Sequence, residues 1–200
     1  MCEICNNSEW DNASNDIIYL DCSNCESVQK LPDNLPNLKF LSIYNTSIKI
    51  IPSYPNLEAL YCFNTPLEDL PTLPKLRKLW AHNTSLKSIP HDYFRVEVVN
   101  VSNTNIDTIP DNMISLQKLS ADNTNINSIP SKLISLEWLS IQNTKVTELS
   151  NKLMSLQYLN CSGTEISHVD IEGHDMLRKL VCRGCDVDPF AFENGLDVSM

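Results

Sequence analysis

The sequence predicts a repeat solenoid with a curved parallel β-sheet on its concave face, extended or 3₁₀ segments on its convex face, and few or no α-helices. Three observations predict it. Segments of 19 to 21 residues recur from residue 17 to about residue 190. Each carries apolar residues at the same places, and proline ends the pattern in five consecutive segments at Pro52, Pro71, Pro90, Pro110 and Pro130. Cysteines keep the same period: Cys2 to Cys22 and Cys5 to Cys25 are each twenty residues apart.

Aligned on their first leucine, LKFLSIYNTSIKIIPSYPN, LEALYCFNTPLEDLPTLPK and LRKLWAHNTSLKSIPHDYFR share the pattern L-x-x-L-x-φ-x-N-T-x-φ-x-x-φ-P, with φ apolar. The whole chain, 1–200, reads as one solenoid domain. Residues 1–16 form a partial N-terminal repeat or cap, 17–176 repeats one to eight, and 177–200 the last repeat plus a C-terminal cap. Phe190 and Phe192 are expected to cover the open apolar end of the last coil.

Positions three to seven predict a short strand whose side chains alternate between core and solvent. The sixth position (Cys22, Ile43, Cys62, Ala81, Val101, Ala121, Ile141, Cys161, Cys182) and the ninth (Cys25, six threonines from Thr46 to Thr144, Thr164, Cys185) are expected to point inward. A threonine hydroxyl there would turn toward the backbone of an adjacent coil, because buried carbonyls need a donor. So short a repeat leaves little room for a return helix. Proline lacks a donor and holds φ near −65°, so the outer side is read as extended or 3₁₀. A single coil cannot bury its apolar face alone, and stacking supplies the core. The eighth position is asparagine from Asn24 to Asn143 and glycine at Gly163 and Gly184. That exchange implies a backbone reason, a turn conformation both residues tolerate and in which asparagine can bond its own backbone.

The C-x-x-C pairs Cys2/Cys5, Cys22/Cys25 and Cys182/Cys185 pose a separate question. The first two have the spacing of a four-cysteine zinc site. Register offers another account: all three pairs fall on positions six and nine, and Cys62 and Cys161 fall on position six alone. Trp10 then lands on the apolar fourteenth position of the partial repeat. Core packing explains every cysteine of the set, whereas zinc on Cys2, Cys5, Cys22 and Cys25 explains only two pairs. The reading is therefore no metal and no cofactor, with that zinc site as the alternative. A redox role would need an accessible thiol of lowered pKa.

With 15 basic against 25 acidic residues the chain carries a formal charge of −10, which disfavours nucleic acid and anionic membrane as partners. No apolar run reaches the length of a membrane span, and the polar N-terminus lacks a secretory core. A cytoplasmic location with reduced thiols is expected. Nothing points to catalysis: the four histidines, His82, His91, His168 and His174, fall at unrelated repeat positions, and with four glycines no phosphate-binding loop is visible.

Outward positions are the ones free to bind. Eight of the fourteen aromatics lie there or beside them: Tyr19, Phe40, Tyr44, Tyr61, Phe63, Trp80, Trp138 and Tyr158. The densest group is Tyr44, Tyr61, Phe63 and Trp80, joined by His82. Such clusters make interface hot spots, although aromatics also simply favour strands. Candidate partner-binding residues are Phe40, Tyr44, Tyr61, Phe63, Trp80, His82, Trp138 and Tyr158. The face carries Asp21, Glu58, Glu97, Asp122 and Glu137 against Lys39, Arg77, Lys78, Lys118, Arg178, Lys179 and Arg183, a balance of +2 in a chain of −10.

The repeat resembles the leucine-rich repeat, a fold counted as α/β by convention. The short coil ending in I-P or L-P is similar to the repeats of bacterial effector ubiquitin ligases. NTNIDTIP and NTNINSIP resemble segments of plant resistance proteins, and the mix of Asn, Ile and Cys resembles repeat proteins of giant, mimivirus-type viruses. These resemblances imply non-enzymatic binding of a protein partner through the concave sheet. Alternatives are a target-recognition subunit serving a separate ubiquitin ligase, and a structural component of a particle.

Overall fold

The computed structural model describes residues 16–169, 174–184, 186–187 and 196–199. Cys2, Cys5, Trp10, Cys185, Phe190 and Phe192 lie outside the described residues, and with them the expected end cap and two of the four cysteines of the alternative zinc site.

Each coil contributes one strand to the main sheet: β1 (Tyr19–Asp21), β2 (Phe40–Ser42), β3 (Ala59–Tyr61), β4 (Lys78–Trp80), β5 (Val98–Asn100), β6 (Lys118–Ser120), β7 (Trp138–Ser140) and β8 (Tyr158–Asn160). Then come β9 (His168–Val169), β10 (Lys179–Val181), β11 (Asp186–Val187) and β12 (Asp197–Ser199). All are parallel to their neighbours. Strands β1 to β8, β10 and β12 form a ten-stranded sheet in that order, while β9 and β11 pair separately.

The strands run over positions three to five, shorter than the five residues predicted. The ladder itself continues further: the Ile43 N–H donates to the Tyr61 carbonyl at 2.8 Å and the Asn45 N–H to that of Phe63 at 3.2 Å. What takes the chain out of the ladder is the eighth position. Asn24, Asn45, Asn64, Asn83, Asn103, Asn123 and Asn143 all have φ between 53° and 58°, and Gly163 has φ 67°. This left-handed conformation, accessible to Asn and Gly, swings the chain out of the sheet.

The core results from register. Leu41, Leu60, Leu79, Val99, Leu119, Leu139 and Leu159 stand in register on successive strands and are essentially sealed from solvent. The first-position residues Leu38, Leu57, Leu76, Val96, Leu116, Leu136 and Leu156 are equally buried. Burying one such side chain contributes roughly 1.5–3 kcal/mol, so each coil is held mainly by its neighbours. The described sixth-position residues are buried throughout, Cys22, Cys62, Cys161 and Cys182 among them.

Threonines Thr46, Thr65, Thr84, Thr104, Thr124 and Thr144 are buried as expected, but their hydroxyls do not reach an adjacent coil. Each donates to the sixth-position carbonyl of its own coil, as in Thr104 Oγ1 to Val101 O at 2.6 Å and Thr144 Oγ1 to Ile141 O at 2.8 Å. The reason lies in the turn. The sixth-position N–H is spent on the next strand, while its carbonyl has left the ladder and would otherwise be buried without a donor.

The opposite side is extended chain punctuated by single turns, such as Tyr93 N–H to Pro90 O and Leu133 N–H to Pro130 O. Among the described residues there is no 3₁₀ run and no α-helix, so of the two expected forms the outer side takes the extended one. Proline breaks any helical continuation after position fifteen. Two coils use a tyrosine to close this side. Tyr54 and Tyr93 are buried, and their hydroxyls donate to the carbonyls of Pro32 (2.7 Å) and Pro71 (2.9 Å) on the preceding coil.

Candidate functional site: an aromatic face on the sheet

In-register parallel strands place equivalent residues about 4.8 Å apart, close to the separation at which two rings stack. Where equivalent outward positions are aromatic, the rings must therefore lie against one another. At the seventh position Tyr44 stacks on Phe63 (4.5 Å between centroids, 4° between planes) and Phe63 on His82 (4.5 Å, 10°). At the third position Tyr19 stacks on Phe40 (4.3 Å, 7°). Phe40 leans on Tyr61 (5.2 Å), which stacks on Trp80 (6.2 Å, 8°), and Trp80 meets His82 edge-on (6.4 Å).

Seven rings thus form one continuous patch across β1 to β4, joining Phe40, Tyr44, Tyr61, Phe63, Trp80 and His82 to Tyr19 through contacts of about 0.5–1.5 kcal/mol per pair. Tyr19 is exposed and the other six are half-buried, each shielded by its neighbours. Because the ring faces cover one another, the patch presents mainly ring edges to a visitor. Within it, His82 has its Nδ1 buried and unpartnered, and burial lowers its pKa below the ordinary imidazole value. Burial thus favours the neutral ring, which suits stacking on Phe63.

On β5 to β8 the fifth and seventh positions become polar. Asn100 Oδ1 accepts the Ser102 N–H (3.1 Å), and Asp122 Oδ1 accepts both the Ser140 hydroxyl and the Gln142 N–H (2.7 Å each). Asn160 and Ser162 cap further backbone N–H groups. Trp138 and Tyr158 stack as a separate pair (4.9 Å, 8°) at the third position. The structure therefore divides the eight candidate residues: six lie in the large patch, and Trp138 and Tyr158 stand apart from it.

The third positions form one row in register: Tyr19, Phe40, Ala59, Lys78, Val98, Lys118, Trp138, Tyr158. Beside it, Lys39 pairs with Glu58 (3.2 Å) and Arg77 pairs with Glu97. Lys78 and Lys118 are exposed and form no ion pair among the described residues.

At the rim of the sheet the eighth-position asparagines form a ladder. Each Nδ2 donates to the Oδ1 of the preceding coil at 2.7–2.9 Å, from Asn45 on Asn24 to Asn143 on Asn123. The side chains bond between coils rather than to their own backbone. At Gly163 the ladder stops, and the Asn143 carboxamide lies 2.4 Å from where a Cβ would stand.

Sequence reasoning passes over one surface. Phe94, Ile114, Ile134 and Met154, each two residues before the first position of its next coil, are 43%, 58%, 58% and 64% exposed and make an apolar ridge on four consecutive coils. The residues just before them, Tyr93, Met113, Leu133 and Leu153, are buried. Of the other histidines, His168 and His174 line a cavity of about 220 Å³ with Glu148. Among the described residues no group of three or more His, Cys, Asp or Glu is placed to hold a metal ion, and no helix is long and apolar enough to cross a membrane.

A solenoid of 19- to 21-residue coils on the L-x-x-L-x-φ-x-N-T pattern, with one strand per coil in a single parallel sheet and no helix among the described residues, has the leucine-rich-repeat fold, which typically serves protein binding. Residues 36–75 match the family model for leucine-rich repeats in two copies. The functional domain of InlJ from Listeria monocytogenes, which includes a cysteine ladder, aligns with a TM-score of 0.83 at 20% identity, covering 91% of this chain and 44% of that one. A leucine-rich-repeat protein of Leptospira interrogans aligns at 0.78 and 20% identity, covering 91% and 54%. YopM, a leucine-rich effector protein of Yersinia pestis, aligns at 0.71 and 27% identity, covering 85% and 49%. The chain spans about half the length of each. No curated protein matches the sequence. In this chain the continuous ladder is one of asparagines, because the described sixth-position cysteines are separated by Ile43, Ala81, Val101, Ala121 and Ile141.

Proposed function

We propose that this chain is a non-enzymatic module that binds a protein through the outward face of its sheet, with the aromatic patch on β1 to β4 as the anchor. The observation that carries the reading is the unbroken run of seven touching rings on outward positions. Packing of the core does not require them, since β5 and β6 are equally well built with Asn100 and Ser120 at the same places. Half-buried rings that support each other lose little conformational freedom on binding, which makes them efficient hot spots.

The test is capture of partners by the full chain and by Tyr61→Ala/Trp80→Ala, with circular dichroism verifying the fold. Loss of the captured protein from the variant supports the reading. Recovery of the same proteins by both forms rejects the patch as the site. Service as the recognition subunit of a separate ubiquitin ligase would add a second docking surface, and the exposed ridge from Phe94 to Met154 is the candidate for it. Substitution of Ile114 and Ile134 by Ser separates the two surfaces.

A further inference from the structure

The third-position row carries two stacked ring pairs with a polar and aliphatic stretch between them. A stacked ring pair, Tyr19 on Phe40, begins it, a second, Trp138 on Tyr158, lies six strands along, and Lys179, ion-paired with Asp197, continues it beyond. Between the pairs come Ala59, Lys78, Val98 and Lys118, in register on β3 to β6. The two lysines flank Val98, two strand steps apart, which is about 10 Å.

Their charge is not consumed locally. The neighbouring cations Lys39 and Arg77 are held by Glu58 and Glu97, whereas Lys78 and Lys118 are exposed and form no ion pair among the described residues. Asp122, on the same strand side as Lys118, lies four residues on at the other rim, where its Oδ1 already accepts Ser140 and Gln142. Glu137, beside Trp138, forms no ion pair with Lys118. In a chain of net charge −10, two cations without an ion pair among the described residues form a local positive site between two apolar ones.

We propose that the row from Phe40 to Trp138 receives an extended, acidic segment of a partner protein: two apolar anchors with a carboxylate midway between them. This rests on the reading of the sheet as a protein-binding face and names its occupant. Phe40 and Trp138 are five strand steps apart, roughly 24 Å, which an extended chain spans in about seven residues at ~3.3 Å each. A carboxylate over Val98 lies within reach of both lysines, and the ring pairs take the apolar side chains at either end. The ring faces within each pair cover one another, so the row offers edges and clefts suited to aliphatic or aromatic side chains rather than open platforms.

The experiment is selection of a displayed library of random peptides of about twelve residues on the immobilised full chain, followed by affinity measurements on synthetic copies. Retained peptides should share two apolar residues about six or seven apart with Asp or Glu between them. Their affinity should fall on the order of tenfold or more for Lys78→Glu/Lys118→Glu, and should weaken as salt is raised. Both substitutions are at exposed positions, and unchanged thermal unfolding of the variant confirms that the loss is local. Retained peptides without an acid, or with equal affinity for the charge-reversed variant, overturn the inference. If those peptides still require Tyr61 and Trp80, the binding face stands and only its occupant is wrong. If no peptide is retained, the extended occupant is rejected, while a folded partner remains measurable by the capture comparison.

Discussion

On β3 and β4 the fifth position carries Tyr61 and Trp80; on β5 and β6 it carries Asn100 and Ser120. The strands are paired in the same register, and the fourth-position residue between them is a buried Leu or Val in each case. The two halves of the sheet thus share backbone, core and turn, and differ in what faces outward. In the first half the outward side chains satisfy one another by stacking. In the second they satisfy backbone N–H groups, as Asn100 does for Ser102 and Asp122 for Gln142. The positions that build the core do not vary in kind, and the outward positions do.

If the halves share one core, a core lesion should not distinguish them. Leu60→Ala and Leu139→Ala should each destabilise by about 2–5 kcal/mol in urea unfolding, since both are fully buried and leave a cavity. A loss confined to one half would break the comparison. Next in size, Thr104→Val should cost roughly 1–3 kcal/mol by leaving the Val101 carbonyl without its donor. An unchanged melting temperature would count against the threonine turn as a source of stability.

A smaller effect separates the halves. Both buried tyrosines, Tyr54 and Tyr93, sit in the coils that carry the ring patch, and burial pushes both phenols above their ordinary pKa. Burial raises the Cys62 thiol in the same way. For a raised folded-state pKa, the stabilisation is complete below the unfolded-state pKa and is lost as pH rises toward the folded value. Stability should therefore decline from about pH 9 upward, where thiols and then phenols of the unfolded chain begin to ionise. Tyr93→Phe should cost about 1 kcal/mol at neutral pH through loss of the bond to Pro71 O, and should flatten that alkaline decline. An unaltered alkaline slope in this variant would show that the phenol is not its source.

Much of the fold was legible because the repeat is strict. Apolar period, the threonine at position nine and the cysteine spacing placed positions six and nine inside, and Cys22, Cys25, Cys62 and Thr104 are buried there. Ring adjacency was legible too, since Tyr44, Phe63 and His82 occupy one position on successive coils. Bond directions were not. Whether Thr104 reaches its own coil or the next, and whether Asn103 bonds its backbone or Asn83, depends on how the left-handed residue turns the chain, and composition carries no such information. The ridge escaped for a related reason. Ile114 and Met113 are adjacent apolar residues, and only the turn decides that Met113 goes inside while Ile114 stays out.

The most direct measurement sets two double variants side by side: Tyr61→Ala/Trp80→Ala and Asn100→Ala/Ser120→Ala, all at the fifth position of consecutive strands. Partner capture should be lost with the first pair and kept with the second, while both proteins unfold cooperatively. Equal capture by the two variants, whether both retained or both lost, would contradict the claim that the ring-lined half of the sheet is the binding surface.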